Sequence, residues 1–215
     1  VPVVVNEIFH SLQGESSHAG RPCVFVRLTG CNLRCTYCDT RYAYDEGKEM
    51  DIGEIVDRLS AYSCRLVEVT GGEPLIQEGT PALVRALLER NYEVLLETNG
   101  SRNIDAVDPR CARIVDVKCP SSGEEGKNDF ENLTRLTSRD EVKFVIQDRL
   151  DYDYAVEVLS RHEKARSGCR PPLFSPVFGR MEPAVLAQWI LSDGLPVRMQ
   201  LQLHKVVWGP DRRGV

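Results

Sequence analysis

Short apolar runs recur along the chain, and between several of them the apolar positions spread to helical spacing. Val3–Ile8, Cys23–Leu28, Arg65–Val69, Glu93–Glu97, Arg113–Val117, Glu141–Ile146 and Val197–His204 read as strands. Ile52–Ser60 puts Ile52, Ile55, Val56 and Leu59 on one stripe and reads as a helix. A second helix has Thr80 as N-cap, Pro81 at the first helical position and Leu83, Ala86 and Leu87 inward. Later helices start near Asp151, with Tyr154, Ala155, Val158 and Leu159 as apolar face, and near Glu182, with Leu186, Trp189 and Ile190. This repetition predicts an α/β chain with a largely parallel sheet, in a single domain over residues 1–215. A doubly wound sheet and a barrel fit the periodicity equally.

Two stretches stay open on pattern alone. Arg198, Gln200, Gln202 and His204 share one face of the last run and Met199, Leu201 and Leu203 the other, so the polar face meets either solvent or a barrel lumen. Glu141 and Lys143 pose the same choice. Cys119–Asn128 is polar and Gly-rich, a mobile loop over a barrel mouth or a plain surface loop.

Composition narrows the function classes. The chain is 42% hydrophobic and 27% charged, ordinary for a globular protein, and its net charge of -5 offers no broad basic surface to nucleic acid. No apolar run reaches the length of a membrane span, and Val1–Val5 lacks the basic start of a signal peptide, so a cytoplasmic protein with no membrane partner is expected. Cys23, Cys64, Cys111, Cys119 and Cys169 are scattered without framework spacing and read as free thiols.

The other three cysteines carry the chemistry. Cys31, Cys35 and Cys38 stand in a C-x-x-x-C-x-x-C loop, and three thiolates on one loop can hold three irons of a 4Fe-4S cluster with the fourth iron open. A zinc site would want four Cys or His ligands, and no second pair lies nearby. Thr70-Gly71-Gly72-Glu73-Pro74, Glu97-Thr98-Asn99-Gly100 and Asp116-Val117-Lys118 each end a predicted strand, where a barrel keeps its active site. Taken singly, Asn99-Gly100 also reads as a tight turn and Lys118 as an exposed cation.

The cysteine spacing resembles that of radical S-adenosylmethionine (SAM) enzymes. The run Glu7-Ile8-Phe9-His10-Ser11-Leu12-Gln13-Gly14-Glu15, followed by Arg21-Pro22, Phe25-Val26-Arg27, the cysteine loop, Cys38-Asp39-Thr40 and the closing His204-Lys205 with Trp208 and Pro210, resembles the 7-carboxy-7-deazaguanine synthase family over nearly the full length. That resemblance implies a partial, open (β/α) barrel with reduced helix content. It implies a lyase that converts 6-carboxy-5,6,7,8-tetrahydropterin to 7-carboxy-7-deazaguanine in queuosine biosynthesis, through a 5'-deoxyadenosyl radical that takes hydrogen from substrate C6. It also implies iron ligation by Cys31, Cys35 and Cys38; SAM contacts at Tyr37, Cys38, Asp39, Gly72, Asp116, Val117, Lys118, Ser175, Pro176, Val177 and Phe178; and Mg2+ at Thr40, although Asp39-Thr40 could instead cap the loop. Substrate contacts would fall at Leu12, Gln13, Gly14, Arg27, Thr70 and Pro210. The family's partners would be the pterin, an external electron donor of flavodoxin or ferredoxin type, and a second copy in a homodimer. A glycyl-radical-enzyme activase shares the cysteine spacing and is the nearest enzymatic alternative; a non-catalytic zinc-binding module is the other.

Overall fold

A computed structural model describes all 215 residues. The chain opens with β1 (Val3–Leu12), which returns antiparallel as β2 (Pro22–Leu28), and β3 (Lys48–Met50) pairs on the far side of β1. α1 (Ile52–Ser60) leads to β4 (Leu66–Gly71), α2 (Thr80–Glu89) to β5 (Glu93–Thr98), and β6 (Ala112–Val117) and β7 (Glu141–Ile146) follow. The remainder is α3 (Arg149–Arg161), β8 (Leu173–Pro176), α4 (Pro183–Asp193), β9 (Arg198–Met199) and α5 (Leu203–Trp208). One sheet results, ordered β3-β1-β2-β4-β5-β6-β7-β8-β9, parallel from β2 to β9 and without a pair joining β9 to β3. This is an open, partial (β/α) barrel. Only short 3-10 turns link β5, β6 and β7, which is the reduced helix content expected.

Strand parity divides the side chains. In β4, Val67 and Val69 pack into the outer core with Ile55, Val56 and Leu59 of α1 and Leu83, Val84 and Leu87 of α2. The alternate residues Glu68 and Thr70 line the cleft inside the barrel. Each fully buried aliphatic side chain contributes about 1.5–3 kcal/mol, so α1 and α2 are held by burial of one stripe. The second half of the core gathers Phe144 and Phe174 with Tyr152 of α3 and Leu186 and Ile190 of α4. No helix is long and apolar enough to cross a membrane.

Three expectations need correction. The strand expected over Val197–His204 is only Arg198–Met199; Gln200 N–H still donates to the Phe174 carbonyl at 3.0 Å, but the chain then leaves the sheet and starts α5 at Leu203. Its alternation does not mark a ladder, because Gln200 and Gln202 turn to Glu15 instead. β8 and β3 were not expected: prolines crowd β8 at both ends, and β3 is a three-residue edge. Thr80 is not the N-cap of α2; it lies inside the helix, preceded by Gly79, and its hydroxyl donates to the Pro74 carbonyl at 2.6 Å.

Candidate active site

The cysteine loop leaves the C-terminal end of β2 and is fixed from two sides. On one side Gly72 lies so close that a Cβ there would stand 2.0 Å from the Gly30 oxygen and 2.8 Å from Cys31 Cβ. Glu73 N–H donates to the Gly30 carbonyl at 2.7 Å. The Glu73 carboxylate, fully buried, accepts from Leu75 N–H at 2.9 Å, Thr98 Oγ1 at 2.8 Å and Asn99 N–H at 2.6 Å, joining the ends of β4 and β5. On the other side is the segment expected as a loop over the mouth. It forms two 3-10 turns, and Ser122 O and Ser121 O accept from Thr36 N–H at 3.0 Å and Thr36 Oγ1 at 2.7 Å. Glu124 accepts from Arg34 N–H at 2.6 Å. Residues 119–128 brace the cysteine loop.

The three thiols are free, partly exposed and line one cleft. Leu33 N–H points to Cys31 Sγ at 3.4 Å and Asn99 Nδ2 at 3.8 Å, contacts that favour a thiolate sulfur. Burial pushes the Cys31 thiol up and Cys35 up to about 11, so iron binding here displaces protons. No three His, Cys, Asp or Glu side chains converge on a point that could hold one metal ion. A four-iron cube takes one thiolate per corner and needs no such convergence. The donor set fits the cluster.

The cleft holds about 440 Å³ and runs from the cysteine loop down to Gln13, Gly14 and Glu15, within the usual range for small-ligand sites. Of the residues singled out from sequence, Leu12, Gln13, Gly14, Arg27, Cys31, Cys35, Tyr37, Cys38, Asp39, Thr40, Thr70, Gly72, Asp116, Lys118, Val177, Phe178 and Pro210 line it. Val117, Ser175 and Pro176 do not: they are buried in β6 and β8, with Val117 in the outer core. Glu97 and Asn99, expected at a strand-end rim, and Lys143, Gln202 and His204, open between lumen and solvent on pattern alone, all line the cleft; Glu15 and Glu68, which sequence reasoning did not place, line it too. Glu68 was visible as a lone carboxylate inside an apolar strand, two residues from Thr70.

Charges at the floor are organised around Lys143. It pairs with Glu15 at 2.9 Å, with Glu97, and with Asp116 at 3.8 Å. Burial works against this ammonium, but the three carboxylates outweigh it and hold its pKa well above the usual lysine range. Glu15 likewise is disfavoured by burial, yet Lys143, His204 and Gln202 bring it down to about 2. His204 stands against Gly14, where a Cβ would fall 2.1 Å from its Nδ1, and burial lowers its pKa against the opposing pull of Glu15 and Asp39. Gly14 is therefore needed for space. Lys118 holds Asp116 Oδ2 at 2.7 Å, while Asp116 Oδ1 is buried without a partner.

Around the rim, Arg27 Nε donates to Glu7 at 2.8 Å beside the Phe9 and Tyr42 rings, and its terminal nitrogens make no hydrogen bond within the chain. Asp39 pairs with Lys205 at 2.5 Å. The Thr40 side chain makes no capping bond to the turn it precedes, so the capping alternative fails for that hydroxyl.

The model of the Radical SAM superfamily matches residues 25–118, from β2 to just past β6. A protein of Chlorobaculum tepidum called 7-carboxy-7-deazaguanine synthase is 50% identical over 100% of this chain and 98% of its own length. One of the same name from Koribacter versatilis is 45% identical, covering 98% and 99%. The crystal structure of QueE from Escherichia coli superposes with a TM-score of 0.80 at 22% identity, over 94% of this chain and 95% of that one, a likeness of fold. Full-length identity at this level, together with three free thiols and the Gly-Gly-Glu-Pro turn on one cleft, shows that the chain belongs to the 7-carboxy-7-deazaguanine synthase family of radical SAM enzymes.

Proposed function

We propose that the chain converts 6-carboxy-5,6,7,8-tetrahydropterin to 7-carboxy-7-deazaguanine with loss of ammonia, on the route to queuosine and other 7-deazapurines. The observation that carries this reading is the single cleft that begins at the three cysteines and ends at Gln13-Gly14, so a cofactor end and a substrate end share one cavity. When bound, a 4Fe-4S cluster and SAM supply an adenosyl radical that removes hydrogen from substrate C6.

The residues have distinct tasks. Cys31, Cys35 and Cys38 would hold three irons. Backbone at Gly72 and at Tyr37–Asp39, with Asp116, Lys118, Val177 and Phe178, would hold SAM; the unpartnered Asp116 Oδ1 supports this, since SAM brings amine and hydroxyl donors. Val117, Ser175 and Pro176 would act through the strands they belong to. Leu12–Gly14 and Thr70 would read the pterin, and the free terminal nitrogens of Arg27 suit its carboxylate in a two-pronged contact. Pro210 lies exposed at the same cleft and would close the substrate end. Mg2+ is proposed at Thr40, whose uncapped hydroxyl is a hard oxygen donor; one such ligand suffices for an ion that keeps several waters. Lys143, Glu15 and Glu97 form the fixed charges of the cleft floor.

We further propose a homodimer, an external electron donor of flavodoxin or ferredoxin type, a cytoplasmic location, and a single functional domain over residues 1–215. An activase role is not favoured, because the relatives matched along the whole chain carry another name. The test is an anaerobic assay of iron-sulfide-reconstituted protein with reductant, SAM, Mg2+ and the carboxytetrahydropterin, read by mass. Formation of 7-carboxy-7-deazaguanine, abolished by Cys35→Ala, is expected; SAM cleavage that leaves the pterin intact would remove the substrate assignment.

A further inference from the structure

Besides Asp39, which Lys205 holds, and Asp211 near the chain end, four carboxyl groups line the cleft: Glu15, Glu68, Glu97 and Asp116. Three have a cation: Lys143 pairs with Glu15, Glu97 and Asp116, and Lys118 with Asp116. Glu68 has none. It is 3% exposed, and its hydrogen-bond partner in the protein is the neutral side-chain amide of Gln13. Burial, with the Glu97 and Glu15 charges added, pushes its pKa well above the usual carboxylate range. A carboxyl so placed is costly to the empty protein.

Its surroundings say what would offset that cost. Glu68 sits one inward step along β4 from Thr70, about 6.6 Å at strand rise, and touches Gln13 at the other end of the cleft. Thr70, Glu68 and Leu12–Gly14 line the same cleft, so a flat ring held between Thr70 and the backbone of Leu12–Gly14 would have an edge within reach of Glu68. Gln13 is itself held, since its Oε1 accepts from Glu15 N–H at 2.8 Å. Two carboxylate oxygens match two adjacent N–H donors, and a 2-amino-4-oxopyrimidine ring offers that pair in its ring N–H and exocyclic amine.

We propose that Glu68 is a specificity-determining residue that accepts hydrogen bonds from the ring N–H and exocyclic amine of the substrate's 2-amino-4-oxopyrimidine edge, with Gln13 fixing its orientation. The assignment rests on the pterin reading above. It separates the two ends of the substrate: Arg27 takes the carboxylate, and Glu68 the aminopyrimidine.

The test compares the reconstituted holoenzyme and its Glu68→Gln and Glu68→Ala variants on 6-carboxytetrahydropterin and on the analogue lacking the 2-amino group, the analogue being measured by turnover or as a competitive inhibitor. Wild type is expected to favour the amino compound by about tenfold to a hundredfold. Both variants should raise KM for the amino compound by about tenfold or more and leave the analogue within about twofold, so the preference disappears while cluster absorbance and SAM cleavage without substrate are unchanged. The Gln variant keeps an acceptor for Gln13 and guards against misfolding. Equal treatment of the two compounds by wild type, or equal losses for both in the variants, would overturn the assignment, the latter marking Glu68 as a brace for Gln13. Wild type that turns over neither compound would instead refute the pterin reading itself.

Discussion

Gly72→Ala tests the join between β4 and the cysteine loop. The added Cβ would stand 2.0 Å from the Gly30 carbonyl oxygen, whereas real Cβ contacts do not fall below 3.0 Å, so the two segments must part by at least 3.0 − 2.0 = 1.0 Å. The obstacle is backbone and cannot rotate away. Parting stretches the 2.7 Å bond from Glu73 N–H to Gly30 O and carries Cys31 with it. Overpacking costs about 1–3 kcal/mol and a compromised buried backbone bond about 1–3 more, so destabilisation of about 2–6 kcal/mol is expected, a fall in Tm of roughly 4–24 °C for a chain of this size. Misplacing one cluster ligand by about 1 Å should lower SAM cleavage on the order of a hundredfold. Thermal unfolding, iron content and 5'-deoxyadenosine formation read the three effects. A Gly72→Ala protein with wild-type Tm, full iron and wild-type cleavage would refute the reasoning that this close approach positions the cysteines.

Other consequences concern the charges of the floor. Lys143→Ala leaves Glu15 and Glu97 without their cation and should cost about 3–5 kcal/mol in denaturant unfolding; a loss under about 1 kcal/mol would show that the network does not brace the barrel. Glu15 has its folded pKa depressed from 4.5 to about 2, so its stabilisation is complete above pH 4.5 and is lost as pH falls towards 2. Wild type should therefore lose its advantage over Glu15→Gln across that window, and a constant difference in Tm would contradict the pairing. Glu68 is the opposite case: its folded pKa is raised above 4.5, so the unfolded chain ionises first and wild type loses stability as pH climbs above 4.5. Glu68→Gln should gain on wild type from pH 5 to pH 8 in the absence of substrate, a stability held down by a residue kept for binding; no gain would mean that Glu68 is paired in solution.

Much of this architecture is legible in the sequence because the strands β1, β2 and β4–β7 are apolar on the helix-covered side and bounded by turns. The cysteine spacing and the turn residues Gly71-Gly72 are local signals and read directly. What stayed hidden depends on partners distant in sequence. Gln200 and Gln202 alternate like strand residues, yet their partner is Glu15, and Leu203 N–H bonds the Gly14 carbonyl at 2.9 Å, pulling the chain off the sheet edge. Lys143 was ambiguous between solvent and lumen until strand parity met the closing loop of Gln13–Arg21. The 119–128 segment has the composition of a mobile loop, and only its bonds to Arg34 and Thr36 reveal a brace.

The central claim is that one cleft brings substrate C6 to the cofactor end of the barrel. Its most direct measurement is label transfer: reconstituted protein, unlabelled SAM and C6-deuterated 6-carboxytetrahydropterin, with 5'-deoxyadenosine and product analysed by mass in the same anaerobic reaction. Deuterium in the 5'-deoxyadenosine together with 7-carboxy-7-deazaguanine is the expected result. Unlabelled 5'-deoxyadenosine in a reaction that still makes product would contradict it, because the hydrogen removed would then lie elsewhere on the substrate and the cleft would hold the pterin in a different orientation.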